Sequence, residues 1–341
     1  MASVAVLGAG MMGSALCVPL VDNGHDVRLV GTPNDADTVR SMRATRDHPR
    51  LGVRLPEALS VYDDHDLADA LTGVDAVALG VSSAGIGWAC ARLAPFPRRP
   101  LFMITKGLAP AASGVRTLPD VVASALGGAP AAIAGPCIAG ELARRVPTCV
   151  VVTGADGAWC ARLQAWLRTN YYFPTVSADV VGVEVCAALK NAYAMGVAFA
   201  AGLHAAATGI DAHAPAGSVA MHNLESAVFA QAVAEMRAIV VRLGGEAETA
   251  AGLAGAGDLD VTNNGGRTGR FGRWLGRGLT RDEAIAKMDG ATLECLEILT
   301  VIRDAMASWP EPLPLLHHLV EVALEGAPVR LPLERFFGAP R

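Results

Sequence analysis

Short apolar runs recur along the first half of the chain: VAVLG at 4–8, DVRLVG at 26–31, AVALGV at 76–81, LFMIT at 101–105, AAIAG at 131–135 and TCVVVTG at 148–154. Most lack the in-out alternation of a strand with one wet face, so they predict strands buried on both sides. Ala-rich segments of helical length lie between them, and that rhythm predicts a parallel sheet covered by helices on both faces. From about Asp179 the β-branched runs stop, and the apolar spacing predicts helices over 182–202, 223–244, 280–289, 290–307 and 314–325. The expected organisation is an α/β domain over 1–178 followed by an all-helical domain over 179–341. A chain of 341 residues is long for a single core, which agrees.

Composition then narrows the class. Hydrophobic residues make up 52% of the chain and charged ones 18%, a composition that folds. A formal net charge of −5 supplies no basic field for nucleic acid or an anionic membrane surface, so any anion must be held locally. The seven cysteines are scattered, with no C-x-x-C pair, which argues against a disulfide framework or zinc knuckle and makes a reduced cytoplasm the expected setting. The opening MASVAVLGAG has no basic n-region and its apolar run breaks at Gly8, so neither a signal peptide nor a membrane span is expected there. The most apolar stretch elsewhere, 186–207, carries Lys190 and Asn191 and reads as a buried helix.

The first run leads directly into Gly8-Ala9-Gly10-Met11-Met12-Gly13 and then a helical segment. Strand, G-x-G-x-x-G and helix in that order predict a Rossmann-type, doubly wound sheet with a dinucleotide site. Gly8 permits the tight turn, Gly10 lets backbone approach a pyrophosphate, and Gly13 lets helix and strand pack closely. An acid at the end of the second strand would hold the adenosine ribose of NAD, but that strand ends Gly31-Thr32-Pro33. With Arg40 and Arg43 following, the choice between NAD and NADP stays open. Lys106 follows the LFMI strand, where ligands of open α/β sheets bind, although lysines are also common at strand ends.

Two further stretches carry chemistry. In DVVGVEVCAALKN (179–191), Lys190 and Asn191 sit on an apolar helix, where a charge is costly unless paired or used. Either Lys190 forms a structural ion pair with Glu184, or its ammonium gives a proton to a developing alkoxide. In GLAGAGDLDVTNNGGRTGRFG (252–272), Asp258 and Arg267 stand among glycines that bring backbone close to something else. A guanidinium offers paired donors to a phosphate, and flanking glycines let amides join it. Asp258 is either a helix cap or the partner that holds Lys190 in position.

Taken together, GAGMMG (8–13), TKG (105–107), AGPCIAGELARRVPTCVVV (134–152), the LKN block, the GxGDL block and DGATLECLEI (289–298) resemble the NAD(P)-dependent glycerol-3-phosphate dehydrogenase family, in order and separation, over nearly the whole chain. The resemblance implies reduction of dihydroxyacetone phosphate to glycerol 3-phosphate with NAD or NADP. It carries Lys190 over as the catalytic acid/base, with Lys106 and Asp258 completing the active site. It carries substrate binding onto Arg267, Thr262, Thr268 and Asn191. Cofactor contacts fall on Gly8, Gly10, Met11, Met12, Gly13, Lys106, Arg267 and Asp289. The expected partner is a small phosphorylated substrate, the expected assembly a homodimer.

Departures from the family pattern lie toward the substrate end. Thr268 stands where asparagine is usual, Val81-Ser82-Ser83 replaces V-P-S, and about fourteen extra residues fall within 204–222. They keep open a relative acting on another small phosphorylated ketone or polyol, with a non-catalytic dinucleotide-binding regulator as the remaining alternative. His204, His213 and His222 in the insert fit no compact ligand spacing, so no metal is expected.

Overall fold

The apolar runs of the first half all enter one sheet in the computed structural model, which describes residues 1–112, 114–209, 221–288, 290 and 292–338. The chain divides into two compact units, Met1–Gly107 with Thr117–Glu184 and Leu108–Arg116 with Val185–Arg341. The strands are β1 (Ser3–Leu7), β2 (Asp26–Val30), β3 (Asp47–His48), β4 (Val53–Arg54), β5 (Ser60–Tyr62), β6 (Ala76–Leu79), β7 (Leu101–Met103), β8 (Leu108–Ala111), β9 (Gly114–Thr117), β10 (Ala131–Ala134), β11 (Thr148–Thr153) and β12 (Tyr172–Ser177). Eight of them form the sheet in the order β12-β11-β10-β7-β6-β1-β2-β5, while β3 pairs with β4 and β8 with β9 in separate two-stranded ribbons.

Pairing is parallel throughout the large sheet except between β10 and β11. β1 and β6 are fully or nearly fully buried because helices cover both faces. In the first unit these are α1 (Met11–Asp22), α2 (Ala36–Thr45), α3 (Leu67–Ala70), α4 (Ile86–Leu93), α5 (Leu118–Leu126), α6 (Ala139–Ala143) and α7 (Gly157–Leu167). The two edge strands, β5 and β12, are the ones that the apolar runs do not announce. Both are half-wetted, and β12 carries Pro174, which an edge tolerates because no outer ladder needs its N–H. Strand order reverses beside β1, whose neighbours are β2 and β6, and this is where open α/β sheets hold ligands.

Helix α8 (Val180–Thr208) crosses from the first unit into the second. Among the described residues it is the one helix long and apolar enough to cross a membrane, and 89% of its most apolar window is buried inside the protein. The second unit continues with α9 (His222–Arg242), α10 (Asp258–Gly265), α11 (Arg267–Gly276), α12 (Arg281–Ala286), α13 (Glu294–Met306), α14 (Pro314–Glu325) and α15 (Leu333–Phe337). α8 and α11 touch backbone to backbone: a Cβ on Gly202 would lie 2.4 Å from the Arg273 carbonyl oxygen, and one on Gly272 would lie 2.3 Å from that of Met195. Between α9 and α10 a π-helical turn, Leu253–Gly257, sets the direction in which α10 begins. The Gly-rich stretch 252–272 is thus mostly helical, not an open loop, and its glycines serve tight packing. A Cβ on Gly255 would lie 2.1 Å from the Ala250 carbonyl oxygen, and one on Gly269 would lie 2.4 Å from that of Asn263.

Candidate active site

In the first unit the glycine-rich turn divides its labour. Gly8 has φ +117°, and a Cβ there would lie 2.7 Å from the Gly80 backbone, so the turn itself demands glycine. A Cβ on Gly13 would sit 2.1 Å from the Gly8 carbonyl oxygen, so close packing demands it too. Gly10 is different: among the described residues, no atom beyond its own stretch of chain lies within 4 Å of where its Cβ would be. It is the N-cap of α1, no side chain caps that end, and the first-turn amides of Met11, Met12 and Gly13 face an open cradle. A pyrophosphate fits such a cradle, so these residues suit a dinucleotide.

Two residues that the motif does not include hold the turn at Ala9. Asp35 Oδ2 accepts from Ala9 N (3.2 Å) and from the backbone and hydroxyl of Thr32 (2.9 and 2.7 Å). An acid thus stands five residues beyond the end of β2, with one oxygen engaged by the protein. On the other side of Ala9, His48 Nε2 lies 3.3 Å from its carbonyl oxygen, while Nδ1 accepts from Leu51 N (3.2 Å). That acceptance fixes the proton on Nε2, and burial holds the His48 pKa below the usual imidazole range. Lys106, half-buried after β7, donates from Nζ to the Gly135 carbonyl oxygen (3.4 Å).

In the second unit Lys190 and Asp258 form a buried ion pair, with Asp258 0% exposed at the start of α10. The alternative pairing with Glu184 is not made, for a geometric reason: six helical steps turn through about 600°, which leaves the two side chains about 120° apart around α8, on different faces. Two carboxylate-bridged contacts surround this pair's helix. Asn191 Nδ2 donates to Glu294 Oε2 (3.1 Å), and Arg267 Nη2 lies 3.4 Å from Glu294 Oε1. Arg267 is the first residue of α11, whose N-cap, Gly266, makes no side-chain cap, so guanidinium and helix amides are available at one helix end. The Arg267 side chain is 39% exposed, enough to reach a soluble anion.

Thr262 is buried and donates its hydroxyl to the Asp258 carbonyl oxygen (2.6 Å), which locks the first turn of α10. Thr268 is buried beside Cys295; burial pushes that thiol up to about 12 and the Thr268 hydrogen bond opposes the rise. Asp289, His213 and the middle of the insert, 210–220, lie outside the described residues. Glu294 was not singled out from the sequence, yet it joins Asn191 to Arg267. Its signal was present, since it lies inside the DGATLECLEI block. Among the described residues no group of three or more His, Cys, Asp and Glu side chains could hold a metal ion.

Comparison with known proteins agrees along both units. Residues 3–160 match the family profile of the NAD-dependent glycerol-3-phosphate dehydrogenase N-terminus, and residues 179–334 match that of its C-terminus. An NADP(+)-dependent glycerol-3-phosphate dehydrogenase of Archaeoglobus fulgidus is 37% identical over 290 residues, 84% of this chain and 83% of that protein. A glycerol-3-phosphate dehydrogenase [NAD(P)+] of Geobacillus kaustophilus is 31% identical over 334 residues, 96% of this chain and 91% of that protein. The crystal structure of glycerol-3-phosphate dehydrogenase from Coxiella burnetii superposes with a TM-score of 0.83 at 30% identity, covering 96% of each chain.

Proposed function

The chain belongs to the NAD-dependent glycerol-3-phosphate dehydrogenase family, and we propose that it reduces dihydroxyacetone phosphate to glycerol 3-phosphate, reversibly, with NAD(P)H. The observation that carries this reading is the buried pair of Lys190, on the mostly apolar α8, with Asp258 at the start of α10. A buried ion pair contributes little net stability compared with apolar residues of the same volume, so its presence points to chemistry. When bound, the reduced nicotinamide supplies a hydride to the carbonyl carbon. Lys190 donates a proton to the carbonyl oxygen as negative charge develops there, and takes it back in the oxidative direction. Asp258 fixes the ammonium so that the donor need not reorganise as the alkoxide forms.

Arg267 and the α11 amides bind the phosphate, and Glu294 holds Arg267 and Asn191 in register. Thr262 and Thr268 line the same substrate region, and Lys106 supplies a further cation to the reaction. The turn Gly8, Gly10, Met11, Met12 and Gly13 binds the pyrophosphate of NAD or NADP. We assign the enzyme to the cytoplasm, as a homodimer. Thr268, a hydroxyl beside Cys295 where the family has a planar amide, favours a second reading in which the substrate is another small phosphorylated ketone.

Oxidation of NADH and NADPH with a panel of phosphorylated ketones tests both readings, the best substrate being expected to be dihydroxyacetone phosphate. Lys190→Ala should lower kcat by at least about a hundredfold with cofactor affinity intact, the scale of a lost positioned acid. Arg267→Ala should raise KM roughly ten- to a hundredfold, the scale of a lost charge-assisted contact, while unphosphorylated dihydroxyacetone responds much less. Near-wild-type turnover in the lysine variant would remove the catalytic assignment. Equal damage to both ketones would mean that Arg267 does not read phosphate, and no oxidation with any ketone would leave a regulator.

A further inference from the structure

The first unit holds a cavity of about 350 Å³ whose residues the proposed reaction does not use. β1, β6 and β7 run parallel, and the cavity lies where β6 and β7 begin, beside Val77 and Leu101, whereas the Gly8 turn follows the far end of β1. Leu71, Val77, Leu93, Phe96, Leu101 and Leu126 give it apolar walls, and three arginines line it as well: Arg98 and Arg162, which are exposed, and Arg99, which is half-buried. Two of these are held by backbone carbonyls. Arg98 Nη1 donates to the Gly127 oxygen (3.4 Å), and Arg99 donates from Nε to Val74 (3.1 Å) and from Nη1 to Pro97 (2.9 Å). Gly127 makes room for the first: it is the left-handed C-cap of α5 with φ +76°, and a Cβ there would lie 2.4 Å from Arg98 Nη2. Arg162 Cζ lies 5.3 Å from the centroid of the Trp159 ring, whose indole N–H is fixed on the Leu101 carbonyl oxygen (2.9 Å). Among the described residues none of the three arginines forms an ion pair, and the one acid lining the cavity, Asp156, caps α7 by accepting from Trp159 N (3.0 Å).

We propose that this cavity binds a small amphipathic carboxylate, with its apolar tail between the walls and its carboxylate on the arginines. A volume of about 350 Å³ is that of a small-molecule site and too little for a folded partner. Guanidinium groups already held by carbonyls present their remaining N–H donors in a fixed fork, from which a carboxylate accepts in pairs, and little side-chain freedom is lost when it does. Asp156 selects among anions, because it repels a doubly charged phosphate more than a singly charged carboxylate. A bare inorganic anion would leave the apolar walls wet, and an uncharged alcohol would gain nothing from the arginines, so the lining matches a molecule that has both parts. The cavity shares no residue with the glycine-rich turn or with the Lys190–Asp258 pair, so this inference stands independently of the reaction proposed above.

The test is isothermal titration calorimetry of the 341-residue chain with octanoate, and with octan-1-ol and acetate as its apolar and charged halves. Octanoate should bind one-to-one and saturate at about a millimolar or below, the scale for about ten non-hydrogen atoms, and either half should bind at least about tenfold more weakly. Replacing both exposed cations, Arg98→Gln with Arg162→Gln, should weaken octanoate at least about tenfold, the scale of one lost charge-assisted contact, while kcat and KM for the ketone stay unchanged. Ala129 is exposed and lines the cavity, so Ala129→Trp should fill it and abolish binding. Should the tryptophan variant fail to fold, the arginine pair, changed only at exposed positions, still decides. Saturating NADH should not displace octanoate. The proposal is overturned by absence of saturable binding, by octan-1-ol binding as tightly as octanoate, or by wild-type affinity in either variant. Displacement by NADH would place octanoate in the dinucleotide cradle, and a dimer that Ala129→Trp dissociates in sedimentation would mean that a second copy fills the cavity; each overturns the proposal too.

Discussion

At the scale of single residues, three glycines of one motif serve different masters. Gly8 and Gly13 are fixed by the protein, since a Cβ on either would collide with backbone, whereas the space beside Gly10 is open. Gly10→Val should therefore leave the fold and its thermal midpoint nearly intact while abolishing NADH and NADPH binding, measured by quenching of intrinsic fluorescence or by calorimetry. Affinity within about threefold of wild type would show that the cradle does not receive the pyrophosphate. Gly13→Ala is the contrasting variant. Its methyl group has no room, so it should lose stability first and binding as a consequence.

At the scale of elements, α14 shows how one helix end depends on another helix. Pro314 is its first residue and Leu313 its N-cap, which has no side chain able to cap. The missing acceptor comes from α9: Glu235 accepts from Leu315 N (2.7 Å) and Leu316 N (2.9 Å), and also from Tyr193 (3.0 Å) and Gln231 (2.8 Å). Burial pushes the Glu235 pKa up even though these four donors favour its ionised form. Glu235→Ala leaves several buried donors unmet and should cost about 3 kcal/mol or more in urea denaturation. Glu235→Gln should cost less, because one amide oxygen can still accept at the helix end. Equal stability of the alanine variant and the wild type would show that α14 is capped by other means.

At the scale of the whole molecule, the shifted carboxyl groups set how stability follows pH. Glu184 and Glu235 have folded pKa values above their unfolded ones, so above the ordinary carboxylate range the native state retains protons that the unfolded chain has lost, at Glu184 up to about pH 8. Their stabilising contribution is complete below the unfolded value and disappears as pH rises through the folded one. Asp22 behaves oppositely: burial raises its pKa, but Arg145 and Tyr171 overcome that and hold it low, so its contribution is lost as pH falls. His25 and His48, whose pKa values burial lowers, act in the other direction as pH rises through the imidazole range, so the carboxyl contribution is read as the difference in thermal midpoint between the wild type and Glu184→Gln. Scanning calorimetry from pH 3 to 9 should show that difference shifting against the wild type from pH 5 to 8, and a loss in both proteins below about pH 4. A difference that shifts in favour of the wild type from pH 5 to 8 would contradict the sign.

What the sequence determined by itself were the features encoded locally. Central strands announce themselves as apolar runs because both faces are covered, the turn at Gly8 to Gly13 is contiguous, and the LKN and GxGDL blocks carry the family by order and spacing. The partnership of Lys190 with Asp258 was one of two open readings, and folding chose it, because helix phase turns Glu184 away and the π-helical turn delivers Asp258. The same dependence on distant chain segments hid the edge strands β5 and β12, the reach of Asp35 and His48 to Ala9, the bridge through Glu294 and the cap on α14. Half-wetted edges give weak hydrophobic signals, and glycine looks like loop until a neighbouring carbonyl is seen to occupy the place of its Cβ. Local periodicity and contiguous motifs are properties of neighbours along the chain, whereas hydrogen-bond partners and close backbone contacts are properties of neighbours in space, which only the packed structure assigns.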